Sequence, residues 1–128
     1  MNSKMVSAAI ASALLAMSFT VSSASAAEVR VKCESRGTSL SKVSVDGKNL
    51  VAGQYKCEIM SGTNSAATGL ANTVGDELQC DFASNPADIA AGATAIPRNF
   101  IQNGQVTGKI LTSTGGTIIS DTVNCRVR

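Results

Sequence analysis

Apolar and polar residues alternate in short runs along this chain. Residues 28–34 set Val29, Val31 and Cys33 against Arg30, Lys32 and Glu34. Residues 122–128 repeat the pattern, with Val123, Cys125 and Val127 against Arg126 and Arg128. Side chains of a strand alternate with period two, so each segment reads as a strand with one buried and one wet face. The simplest arrangement makes them neighbours that close a small sandwich, locked by Cys33 and Cys125.

Between these ends the same pattern recurs. Gly37-Thr38-Ser39 reads as a turn into a strand over 40–45, with Val43 and Val45 inward and a tight turn at Asp46-Gly47. A strand over 54–60 groups Tyr55, Cys57 and Ile59, and one over 77–83 groups Leu78, Cys80 and Phe82. Residues 61–73 are small, polar and uncharged, which fits a long loop or a weak edge strand. Asn85 suits a helix N-cap, Pro86 the first helical position, Asp88 the positive end of the dipole and Gly92 the exit. That predicts one helical turn near residues 86–91. Asn103-Gly104 predicts a turn, residues 105–112 a strand with Val106 and Ile110 inward, and residues 113–116 a hairpin turn. Beyond it, Ile119 and Val123 share a phase only if Asp121 faces inward. A carboxylate resists unpaired burial, so a bulge is expected near Ser120 or Asp121.

Six to seven short strands with almost no helix predict an all-β fold, a small antiparallel β-sandwich of immunoglobulin-like architecture. That architecture serves unrelated functions, and no Cys–Trp–Cys constellation is present.

Residues 1–26 read as a secretory signal peptide rather than part of the fold. Lys4 supplies the positive start, residues 5–21 an uncharged apolar stretch, and Ala24-Ser25-Ala26 the small residues a signal peptidase needs. No second apolar run follows, so no transmembrane segment is expected after cleavage. Residues 27–128 would then form a single disulfide-stapled domain, exported to the periplasm or outside the cell. Only Tyr55, Phe82 and Phe100 supply aromatic area there. A core built mainly of Val, Ile, Leu and Ala buries less area per residue, which favours covalent staples.

All four cysteines lie after residue 26, and the chain has no histidine. Their wide spacing does not suit zinc, haem or an iron–sulfur cluster, so no metal and no cofactor is expected. An even number in an exported chain points to disulfides. Three connectivities exist; matching strand positions favour Cys57 with Cys80 and Cys33 with Cys125.

The missing histidine removes serine–histidine and cysteine–histidine nucleophilic sites. Ser39-Leu40-Ser41-Lys42 matches the Ser-x-x-Lys motif of acyl-transfer enzymes, but at a strand entrance rather than a helix start. Asp76 and Glu77 are adjacent and would point to opposite faces of a strand, while Glu77 and Asp81 share the outer, solvated face. No catalytic residue is therefore assigned. Basic and acidic residues number 11 and 9, a balance that argues against a nucleic-acid partner. One surface stands out. Neighbouring terminal strands would gather Arg30, Lys32, Arg126 and Arg128 into a candidate basic binding patch, opposed only by Glu34. It suits an anionic glycan or another envelope or extracellular protein. The expected role is a non-catalytic binding or interaction module, with a structural subunit of a surface assembly as the alternative.

Overall fold

The computed structural model describes residues 26–128; the expected signal peptide, residues 1–26, lies almost wholly outside them. Six long strands make the frame: β1 (Glu28–Arg36), β2 (Leu40–Lys48), β3 (Gln54–Ser61), β6 (Leu78–Ala83), β8 (Gln105–Thr112) and β9 (Thr117–Asn124). Short pieces line the edges: β4 (Asn64–Ala67), β5 (Ala71–Asn72), β7 (Thr94–Ala95) and β10 (Arg126–Val127). These edge pieces raise the strand number to ten, above the expected six to seven. The one helix among the described residues, α1 (Pro86–Ala90), follows β6.

One sheet runs β10-β1-β2-β6-β7, and the other runs β4-β3-β8-β9 with β5 also on β3. Of the long strands, the first, second and fourth share one sheet and the third, fifth and sixth the other. This is the A-B-E and C-F-G division of an immunoglobulin-like sandwich. The core is the inner face of both sheets. Val31, Val43, Val45 and Phe82 meet Cys57, Ile59, Val106 and Ile110 there, all buried. Phe100 enters from a loop because Ser61 anchors that loop. The Ser61 hydroxyl accepts the Gln102 N–H at 2.7 Å and donates to the Gln105 carbonyl at 2.7 Å.

Both disulfides follow from strand position. Cys57 on β3 bonds Cys80 on β6, crossing the core from sheet to sheet, and Cys33 on β1 bonds Cys125. No Cys among the described residues is free.

Several expectations are corrected. Asp46-Gly47 is not a turn but lies inside β2; the chain turns later, at Asn49 with φ 59°. Gly47 faces the other sheet, where a Cβ would come within 2.5 Å of Ile110 Cδ1, so close approach of the sheets demands glycine there. The bulge falls between Ile110 and Leu111 on β8, where Ile119 and Thr117 are the successive partners and Ile118 is the extra residue. Asp121 keeps the inward phase opposite Gly108 yet stays exposed, because β9 is an edge strand. Its Oδ1 accepts the Thr122 N–H at 3.0 Å. Residues 61–73 form an interrupted edge strand, as β4 and β5 both pair β3, joined by Thr68 N–H bonding Cys57 O. Asn85 precedes α1 in extended conformation, but its side chain makes no capping hydrogen bond.

The last segment is not one strand. β9 belongs to the β8 sheet, while β10 pairs β1 in parallel through Glu34 with Arg126 and Ser35 with Val127. The crossing occurs at Cys125, whose N–H still donates to Gly104 O at 2.7 Å, whereas the Arg128 N–H donates to Ser35 O at 3.0 Å. Val127, expected to be buried, is 72% exposed, since no second sheet covers this edge. Ordering residues 126–128 costs about 1–2 kcal/mol each. A two-pair ladder returns about 1 kcal/mol per hydrogen bond, and an exposed ion pair about 0–1 kcal/mol. The cost exceeds the return, so the covalent link at Cys125 keeps β10 on β1.

Candidate functional site

The outer face of the β1 sheet carries most of the chain's charge. A three-residue turn at 37–39 makes β1 and β2 a hairpin, with Glu34 opposite Lys42, Lys32 opposite Ser44 and Arg30 opposite Asp46. β10 sets Arg126 beside Glu34 on the same outward phase. Side chains at paired positions share a face, so these residues stand together above the sheet.

A depression of about 420 Å³ lies among them, lined by Lys32, Lys42, Arg126 and Arg128, by Glu34, and by the polar Ser44 and Asn124. The Arg128 guanidinium pairs with the Glu34 carboxylate, and Lys42 Nζ lies 3.2 Å from Asp88 Oδ2. Lys32 and Arg126 are exposed and make no ion pair among the described residues. Both existing pairs are solvent-facing, so each holds its cation by only about 0–1 kcal/mol, and an incoming anion can compete for it.

Three of the four patch residues expected from sequence thus line one depression: Lys32, Arg126 and Arg128. Arg30 does not. It lies further along β1 in a neighbouring concavity of about 870 Å³, where Arg30, Lys32 and Lys48 face Glu28, Asp46 and Glu77. That larger concavity is balanced in sign, three cations against three carboxylates. Lys42 was missed, although its alternation with Val43 put it outward; the missing information was that β2 pairs with β1. Among the described residues no three His, Cys, Asp or Glu side chains gather to hold a metal ion. Ser39, first of the Ser-x-x-Lys residues, sits in the 37–39 turn with its hydroxyl on Arg36 O at 2.6 Å.

Asp46 borders the larger concavity. Burial first, and then the Asp81 carboxylate and more weakly Glu77, push its carboxyl above the ordinary 3.8, while Lys32 and Arg30 oppose the shift. Its Oδ1 is buried without a hydrogen-bond partner. A raised carboxyl pKa means the fold prefers the protonated form. The corresponding stability is fully present below pH 3.8 and is lost as pH rises through the folded-state value. Asp46→Asn should therefore gain stability relative to the wild type on going from pH 3 to pH 7, read as the difference in urea midpoints. A difference that is flat or falls with pH would contradict this account of Asp46.

These features define a class: an all-β sandwich with immunoglobulin-like strand division, two disulfides and a basic depression on one outer face. No protein-family model matches the chain, and neither a search of curated proteins nor one of solved structures returns a match. Among the described residues no helix is long and apolar enough to cross a membrane.

Proposed function

We propose that this chain is an exported, non-catalytic binding domain whose site is the depression at Lys32 and Arg126 and whose ligand is an anionic glycan. The observation that supports it is two exposed cations, without an ion pair among the described residues, facing one concavity, with two weakly held cations beside them. Export is supported by the signal-like residues 1–26 and by two disulfides, which persist in oxidising compartments. Scarce aromatic residues leave few stacking platforms for a neutral sugar, so charge is the available means of recognition.

The test is retention on a dextran sulfate column at low salt. The wild type should be retained and released as salt screens the contacts. Lys32→Ser/Arg126→Ser should elute near the void volume, an affinity loss of about tenfold or more, whereas Arg30→Ser should lose little. Equal retention of the wild type and the double variant would refute the site.

A second reading, a structural subunit of a surface or extracellular assembly, draws on a different feature. Val51 and Val74 are 81% and 84% exposed on two loops tied together by Leu50 N–H to Asp76 O and Thr73 N–H to Gly53 O. Native mass spectrometry of the protein from its own cellular fraction separates the two: a monomer supports the binding domain, a multimer the subunit.

A further inference from the structure

We propose that the Cys33–Cys125 disulfide is a thiol-sensitive lock on the basic depression. Its regulatory consequence rests on the anion-binding reading above; the release of β10 does not. The two disulfides differ in setting. Cys57 and Cys80 are buried between the sheets, on strands paired along most of their length. Cys125 is partly exposed, the only one of the four cysteines that is, and its partner Cys33 lines the wall of the depression. Exchange rates depend on access of the attacking thiolate, so a dithiol should reach this bond first.

The chemistry is thiol–disulfide exchange. A dithiol thiolate attacks the Cys125 sulfur, the S–S bond breaks and Cys33 leaves as a thiolate. The reagent's second thiolate then attacks the mixed disulfide, releasing Cys125 and closing the reagent's own disulfide. Two electrons and two protons pass to the protein, leaving two thiols.

What opens is decided by topology. Upstream of the bond, β9 is paired to β8 at seven of its eight residues, and Cys125 N–H still reaches Gly104 O. Downstream, β10 has two paired residues, one backbone bond from Arg128 and one exposed ion pair to Glu34. Reduction therefore frees residues 126–128 while leaving the sandwich intact. Arg126 and Arg128, two of the four cations lining the depression, leave with them. Glu34 loses its ion pair and remains, so the residual site is weakened by departure of positive charge and by an uncompensated carboxylate.

The experiment is a graded dithiothreitol titration of the full folded chain. It is read by alkylation with peptide mapping, by amide exchange and by dextran sulfate retention. Cys33 and Cys125 should be alkylated at dithiol concentrations that leave Cys57 and Cys80 bonded, and exchange protection at Arg128 should disappear while that of β8 persists. Retention should weaken by about tenfold, and Cys33→Ala/Cys125→Ala should behave likewise without dithiol. Alkylation of Cys57 and Cys80 at the same dithiol concentration, or persistent protection at Arg128 after selective reduction, would overturn the lock. If the oxidised protein is not retained at all, the anion-binding reading fails instead, while alkylation and exchange still decide the release of β10.

Discussion

Cys57→Ala/Cys80→Ala is expected to lower the unfolding free energy by about 4–5 kcal/mol, read from urea denaturation of the oxidised protein. The two cysteines are 23 residues apart, so releasing their loop costs roughly 3 kcal/mol through the unfolded chain. Cys57 is fully buried and Cys80 nearly so, and truncating both side chains leaves a small cavity between the sheets. That adds about 1–2 kcal/mol. The Cys33–Cys125 bond closes a separation of 92 residues and has the larger loop term, about 4–5 kcal/mol, with less packing to lose because Cys125 is only half-buried. Domains of this size have about 5–15 kcal/mol in total, so loss of either bond alone removes a large share of the margin while the sandwich still folds. Refilling the space with Cys57→Val should recover part of the packing loss and none of the loop term. A total loss below about 1 kcal/mol would show that the sheets hold without the bond.

Gly108→Ala, the addition of one methyl group, is expected to destabilise the fold by about 1–3 kcal/mol. Gly108 sits inside β8 facing the core, where a Cβ would come within 2.7 Å of Val31 Cγ2 and 3.0 Å of Val45 Cγ2. Two effects compete. Replacing glycine restricts the unfolded chain and would stabilise by about 0.4–1 kcal/mol, whereas overpacking a close-packed interior costs about 1–3 kcal/mol. The neighbours are valines on strands of the opposite sheet, β-branched and stiff about χ1, so they cannot swing aside and overpacking wins. Trimming Val31 should relieve the clash. In a double-mutant cycle, Gly108→Ala and Val31→Ala should therefore destabilise less together than the sum of the single changes. A neutral or stabilising Gly108→Ala would mean that the sheets can move apart at little cost.

Much of the frame was legible because its causes are local. Val31, Val43, Cys57, Cys80, Phe82 and Val106 are buried as their alternation implies. The turns at 37–39 and 103–104 rest on residues that tolerate positive φ, as Gly37, Asn103 and Gly104 show. The site was legible only in part. Alternation put Lys32 and Arg126 outward, but which cations share a depression depends on which strands are neighbours. Arg30 therefore fell into a separate, charge-balanced concavity, and Lys42 entered the site unannounced.

The sequence by itself determined most strand faces, the strand positions that favoured the observed cysteine pairs, the helical turn at Pro86–Ala90 and the outward direction of the basic residues. Each follows from the period-two geometry of a strand or the backbone preference of a single residue. Only the tertiary structure decided the rest. It kept Gly47 inside a strand, because the opposite sheet comes too close for a side chain. It left Asp121 in solvent on an inward phase, because β9 is an edge. It also divided the last segment at Cys125 between two sheets. These outcomes depend on what stands across a gap or beyond an edge, and a one-dimensional pattern does not carry the identity of a residue's neighbour in space.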